Sequence, residues 1–245
     1  MPASAGGSGS CRADGKRPLS ARSPSADNRT MESPPQSLLG ATPLSEPPFV
    51  LCRRFLTSGA QGGQRTLDVG CGQGDLCIEL AALGCDVVGV EIDEALVAGC
   101  RARGIEAVRG AAEQLPFPDA SFDRIVCSVV VPYTDERKAI AEWARLLRPG
   151  GTVYATYHGL GYGLDYLLRG DRLKTRVYGA RMLANTLCYG LSGRRLPGFL
   201  GDTLCQTRGR LRRFYRRHGL TLERETVASA FLGQPQFLCH RLGKA

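Results

Sequence analysis

The residues best placed to do chemistry stand together in LDVGCGQGDL, Leu67 to Leu76. Gly70, Gly72 and Gly74 carry no Cβ, so the chain can turn sharply there and bring its backbone close to a ligand before a helix begins. A dinucleotide loop needs G-x-G-x-x-G, with a pyrophosphate at the helix start. Here the spacing is G-x-G-x-G, and Asp68, two positions ahead of Gly70, would repel a pyrophosphate. A carboxylate at that place suits a ligand with an ammonium group, which points to a nucleotide that bears an amino acid. A second carboxylate, Glu91, follows VVGV 17 positions beyond Gly74; at a strand end it can accept both hydroxyls of a ribose. The plainer readings are a glycine-rich turn and a solvated strand-end charge.

These groups need elements to hold them. The pattern gives a leading helix over Phe49 to Leu56, a first strand over Thr66 to Val69, and a helix from Asp75 to Leu83 that Gly84 can stop. CDVVGVE is the second strand. A helix from Glu94 to Arg103, ended by Gly104, leads to a third strand, Ile105 to Val108. After a Pro-containing loop come a fourth strand, FDRIVCSVVV, a helix over Asp135 to Leu147, an RPGG turn and a fifth strand, Thr152 to Tyr157. Alternation of this kind predicts βαβ units and a buried parallel sheet, the doubly wound α/β class. Ligands bind such sheets at the carboxyl ends of the strands, beside the switch in strand order. LTLERETV and PQFLCHRL read as two final strands.

Composition bounds the rest. The 245 residues, 43% hydrophobic and 22% charged, fit a globular protein. Apolar runs such as Val129 to Pro132 fall far short of the ~20 residues of a membrane-spanning helix. Ten scattered cysteines include no C-x-x-C pair and no cluster at metal-site spacing, so they read as reduced thiols in a cytoplasmic protein, and no metal is expected. Residues 1–48, rich in Ser, Gly, Pro and Ala, cannot bury enough surface to fold and are expected to be a disordered tail ahead of a domain over 49–245. The tail has no apolar secretory core, and Met31 is an alternative start.

The residues resemble those of the class I S-adenosylmethionine-dependent methyltransferases, in particular the small-molecule group with an A-E-x-L-P-F loop. The resemblance rests on LDVGCGQGD, VVGVEID, AAEQLPFPDASFDRIVCS and LLRPGG, and covers Leu67 to about Thr156. It implies a Rossmann-like, seven-stranded, mostly parallel sheet and S-adenosyl-L-methionine as cofactor. Asp68 with the loop Gly70, Cys71 and Gly72 would hold the methionine part, and Gly74 would open the helix. Glu91 would bind the ribose, Ile92 would pack on the adenine, and Ala112 and Glu113 would reach the adenine edge through backbone and side chain. Ser128 would pass the methionine end. Two departures stand out. Ala111 replaces an Asp common in relatives, which shifts adenine recognition toward backbone. SVVVPYTD lacks the histidines usual after strand four, and its lack of a polar Asn or Asp leader disfavours methylation of nucleobase amines.

An activated methyl donor leaves the protein to align a nucleophile and exclude water. If the acceptor needs a base, His158, Tyr157 and Tyr133 lie near the strand tips, with His158 the first choice and Tyr133 on ground used for substrate contact. The alternative for His158 is a hydrogen-bonded group that shapes the pocket. The segment 158–217 fits no unit of the core sheet and is expected to cover the substrate. It holds 13 Lys and Arg against three Asp, so the net +9 of the chain resides there. Such a patch favours an acidic acceptor, while its tyrosines leave room for a flat or lipid-like one. RMLANTLCYGLSG reads as a core helix, with a peripheral membrane helix as the alternative. The expected activity is methyl transfer to a small-molecule or lipid-like acceptor. The alternatives are an RNA or protein methyltransferase using the basic segment, with nucleic acid not favoured, and a non-catalytic S-adenosylmethionine-binding protein.

Overall fold

The computed structural model describes residues 46–245; the tail expected over 1–48, apart from its last three residues, and Met31 lie outside the described residues. Seven strands form one sheet: β1 (Arg65–Val69), β2 (Asp86–Glu91), β3 (Ala107–Arg109), β4 (Phe122–Ser128), β5 (Leu147–His158), β6 (Leu220–Phe231) and β7 (Gln234–Lys244). Their order is β3-β2-β1-β4-β5-β7-β6. The first five are parallel, and β7 runs antiparallel to both β5 and β6. The order reverses between β1 and β4, so the switch point lies where Asp68 and Ser128 end their strands.

The helices are α1 (Pro48–Thr57), α2 (Asp75–Ala82), α3 (Glu94–Ala102), α4 (Glu136–Leu146), α5 (Leu160–Arg169), α6 (Leu173–Ser192) and α7 (Arg208–Arg217). Side-chain caps start two of them: Asp93 accepts from Ala95 N at 2.8 Å, and Asp135 accepts from Arg137 N at 3.1 Å. Gly84 and Gly104 follow α2 and α3 in the left-handed conformation that ends a helix. The main core joins Leu67, Val88, Ile125, Ile140, Trp143 and Val153 between sheet and helices. Arg124, fully buried in β4, spreads its guanidinium 3.8 Å above the Tyr154 ring and donates to Leu56 O and Ser58 O, tying the end of α1 to the sheet.

Two sequence expectations are corrected. The fourth strand stops at Ser128 instead of running to Val131, because Val129 adopts φ +56° and the chain turns into a short 3-10 segment, Val131–Tyr133. The segment 158–217 is not wholly outside the core: α7 packs Leu211, Phe214 and Tyr215 into the main cluster.

Candidate functional site

Asp68 is buried in β1, and its Oδ2 accepts only the Cys77 thiol, at 3.4 Å, while Oδ1 has no partner. Burial raises its carboxyl to about 7. A buried oxygen without a donor is costly unless a ligand supplies one, and a cationic donor would suit this one best.

The loop after β1 turns on three left-handed glycines whose surroundings differ. A Cβ on Gly70 would lie 2.2 Å from Val130 Cγ2, and one on Gly74 would lie 2.3 Å from Ile105 Cδ1. A Cβ on Gly72 would meet nothing within 4 Å. The loop is thus pressed on the protein at its ends and open at its middle, which is the face a ligand can approach. Cys71 turns its side chain away from that face, under Gly89 and beside Cys77 and Cys100, so only its backbone is available to a ligand. Cys100 Sγ supports the loop from below by donating to Gly72 O at 3.3 Å.

Glu91 ends β2 with its carboxylate toward this loop, accepting from Gly72 N at 3.0 Å and Ile92 N at 2.8 Å. Ile92 is 65% exposed, an apolar surface beside the carboxylate with nothing packed over it. Ala112 is buried in the turn formed by Ala111 and Gln114. Glu113 accepts from Asp135 N through Oε1 at 2.9 Å, holding the start of α4, which leaves its second carboxylate oxygen and its backbone for a ligand. Arg145 fixes the same loop by donating to Leu115 O and Phe117 O and pairing with Asp119 and Glu142.

Ser128 is exposed at the tip of β4. The residue after it, Val129, is a β-branched residue at positive φ, an outlier that costs of order 1–3 kcal/mol and is typical of functional sites. Neither Val129 nor Val130 was legible as a site residue, because a run of valines reads as strand. Beyond them Tyr133 and His158 sit 6.4 Å apart, ring centre to ring centre, so the structure brings two of the three candidate bases together; the third, Tyr157, is fully buried and accepts from the Tyr215 hydroxyl at 2.8 Å. His158 is 5% exposed and stacks on Tyr162 at 3.8 Å with Phe237 at its edge; its Nδ1 has no partner. Desolvation lowers its imidazole to about 3, and burial raises the Tyr162 phenol above its ordinary value, whereas Tyr133 is 53% exposed. A neutral His158 near pH 7 is what the sequence expectation of a His158 base did not anticipate.

From Tyr133 a cavity of about 1210 Å³ opens between the start of α4, α6 and α7. Leu160, Leu183 and Leu187 line its apolar side, and Arg137, Arg213 and Arg217 lie on its polar side. Arg195 closes one end by donating to Pro132 O and Thr134 O. Glu136, buried at the head of α4, pairs with Arg210 and ties α7 to the site.

Residues 67–155 match the family of the methyltransferase domain. The chain is 34% identical over 110 residues to an uncharacterized methyltransferase of Bacillus subtilis, 42% of this chain and 44% of that one. It is 37% identical over 109 residues to the phthiotriol/phenolphthiotriol dimycocerosates methyltransferase of Mycobacterium tuberculosis (41% of this chain, 40% of the relative). Against the demethylmenaquinone methyltransferase of Renibacterium salmoninarum it is 40% identical over 98 residues, covering 39% and 41%. The chain therefore spans less than half the length of these curated relatives. The crystal structure of an S-adenosylmethionine-dependent methyltransferase from Mesorhizobium loti superposes with a TM-score of 0.60 at 21% identity, over 80% of this chain and 97% of that one. One from Methanosarcina mazei gives 0.56 at 21% identity, over 75% and 93%. The seven-stranded α/β fold is theirs.

Proposed function

We infer that this chain, whose residues 67–155 form a class I S-adenosylmethionine-dependent methyltransferase domain, transfers a methyl group from that cofactor to a small-molecule or lipid-like acceptor. The observation that carries the reading is the meeting at the switch point of three features: the open face of Gly72, the Glu91 carboxylate beside it, and the unpartnered buried oxygen of Asp68. The donor set fits the cofactor, since a buried acid answers an ammonium group and a strand-end acid answers a ribose. When bound, the cofactor supplies a methyl group already activated on a sulfonium.

The chain's own residues then have defined tasks. Asp68 and the backbone of Gly70, Cys71 and Gly72 hold the amino-acid end, and Gly74 starts the supporting helix. Glu91 takes the ribose, Ile92 covers the adenine, and the backbone of Ala112 and Glu113 meets its edge. Ser128 borders the methionine end. His158 and Tyr133 form the acceptor end, with the segment 158–207 and α7 as its cover. A neutral, buried His158 is a full hydrogen-bond acceptor at Nδ1 but a weak base, so it takes a proton only from an acceptor that is acidic in its own right. The acceptor best suited to this site brings its own nucleophilic electron pair, and the arginines of the cavity favour one with a phosphate or carboxylate. The Mycobacterium tuberculosis and Renibacterium salmoninarum relatives, named for lipid and quinone acceptors, support this class. A cytoplasmic setting belongs to the same proposal.

The test is transfer of labelled methyl from S-adenosylmethionine into host extract resolved into protein, RNA, lipid and small-molecule fractions, with Gly72→Arg as inactive control. Label in lipid or small molecules is expected. Label in RNA or protein would make the arginine-lined cavity a macromolecular docking site, and its binding would then fall steeply with salt. No label in any fraction would favour a protein that binds the cofactor and transfers nothing.

A further inference from the structure

Helix α6 turns three polar side chains inward. Beside the buried Gly179 and Met182, Arg181 pairs with Asp202 at 2.9 Å, Asn185 bonds Thr203 O and Leu196 N, and Thr186 accepts from Cys205 N. These bonds hold the chain 196–205 against the helix. The face it turns outward is apolar. Leu173, Val177, Ala180, Ala184, Leu187 and Leu191 are all exposed, with Leu173, Leu187 and Leu191 at 78%, 65% and 82%. At 3.6 residues per turn they lie within roughly 40° either side of one line. Phe199 and Leu200, held beside α6 by the Arg181 contact to the Phe199 ring, add a further exposed apolar pair.

A continuous apolar stripe of this length on the outside of a protein marks a contact surface, and its charge identifies the partner. Helix α6 contains no acidic residue. Lys174, Arg176, Arg194, Arg213, Arg216 and Arg217 border the stripe or stand on the neighbouring α7, and among the described residues no carboxylate lies in salt-bridge range of any of them. Leu187 and Leu191 line the cavity together with Arg213 and Arg217. Leucine flanked by arginine on one outward face complements a bilayer whose headgroups are negative, with the side chains entering the acyl boundary and the guanidinium groups meeting phosphates. No helix among the described residues is long and apolar enough to cross a membrane, so the contact is one that lies on the surface.

We propose that the outward face of α6, with the arginines of α7, docks the protein on an anionic lipid bilayer. Residues of this same face, Leu187 and Leu191, line the cavity. If it takes a lipid-like acceptor, which rests on the function proposed above, docking brings its mouth to where such an acceptor resides.

Vesicle binding tests the docking without any methyl transfer. The full chain is sedimented with vesicles of phosphatidylcholine alone and of equimolar phosphatidylcholine and phosphatidylglycerol, and S-adenosylhomocysteine binding reports that each variant is folded. The expected result is binding to the anionic vesicles at least tenfold tighter than to the neutral ones. The pair Leu173→Glu and Leu191→Glu should lose more than tenfold of it, and Arg213→Gln with Arg216→Gln about fivefold for each cation removed, while S-adenosylhomocysteine still binds. Three results would overturn the proposal: no binding to anionic vesicles, equal binding of wild type and the leucine variant, or a wild-type dimer that the leucine variant dissolves while vesicles are ignored. The last would assign the stripe to a second copy of the chain. Vesicle binding without methyl transfer would leave the docking intact and count against the function alone.

Discussion

Replacing Asp68 with Asn tests the centre of the site through pH. In the folded chain burial raises this carboxyl to about 7, against an ordinary value of 3.8, and the Cys77 thiol is the one hydrogen-bond donor opposing the rise. Between about pH 4 and 7 the folded state keeps a proton that the unfolded state has released, so stability falls as pH rises through that window and is level above it. Each pH unit in the window carries about 1.4 kcal/mol, which bounds the loss at roughly 4 kcal/mol. Relaxation and water entry around a buried charge reduce the working figure to about 1–3 kcal/mol. Asn cannot ionise. Urea melts of the ligand-free Asp68→Asn protein should therefore match wild type near pH 4 and exceed it by that amount near pH 8. Ligand binding runs the other way, because an ammonium group beside Asp68 favours the ionised carboxylate. Wild-type affinity for S-adenosylhomocysteine should improve as pH rises toward 7, by up to about tenfold per pH unit, and Asp68→Asn should bind weakly at every pH. Parallel stability slopes in the two proteins, or unchanged affinity in the variant, would refute the assignment of Asp68 as a buried acid that waits for a cation.

Gly70→Ala sets a methyl 2.2 Å from Val130 Cγ2 at φ +75° and should cost about 2–4 kcal/mol in a melt. Gly72→Ala meets no atom within 4 Å, so its melt should move by only about 1 kcal/mol while calorimetry shows S-adenosylhomocysteine affinity down at least tenfold; equal stability losses would contradict the open-face reading. Glu136→Gln leaves Arg210 partly buried without its anion and should lower stability by roughly 3–5 kcal/mol in thermal unfolding, and a loss below about 1 kcal/mol would show the pair to be solvent-screened. His158→Ala should lower turnover with cofactor affinity nearly unchanged. Because its imidazole is held at about 3, the wild-type kcat profile should carry no His158 limb between pH 5 and 8; a limb near 6.5 that vanishes in the variant would restore it as an ordinary base.

Sequence patterns reached furthest where a residue's role is set by its neighbours in the chain. Gly84 and Gly104 end α2 and α3 as their positions after an apolar stripe require, and acids at strand ends placed Asp68 and Glu91 at the sheet's carboxyl edge. What sequence did not show shares a cause in distance. Glu113 looks unpartnered in sequence, yet Asp135 N, 22 positions away, donates to its Oε1. Ser128 to Val131 reads as strand because valine favours it, whereas in the structure Val129 turns at φ +56° and Val130 lies against Gly70, 60 positions back. His158 was placed well by its strand, but its titration is set by Tyr162 and Phe237, which arrive from α5 and β7.

Helix α6 carries this argument further, because there the pattern itself was visible and its direction was not. A periodic apolar stripe ordinarily faces a core, which is why RMLANTLCYGLSG read as core packing. In the structure the backbone of 196–205 lies on the helix and needs hydrogen-bond partners that Leu and Val cannot provide. Arg181, Asn185 and Thr186 supply them, at Phe199 O, Thr203 O and Cys205 N, so these polar residues turn inward beside Met182, and Leu173, Leu187 and Leu191 are left outside. The same rotation leaves Leu187 and Leu191 lining the cavity rather than beneath the sheet. Satisfying the polar groups of Phe199, Thr203 and Cys205 thus decides which surface α6 shows beside the cavity, and under the function proposed above the nature of the acceptor is to be sought from that surface more than from the cofactor motifs.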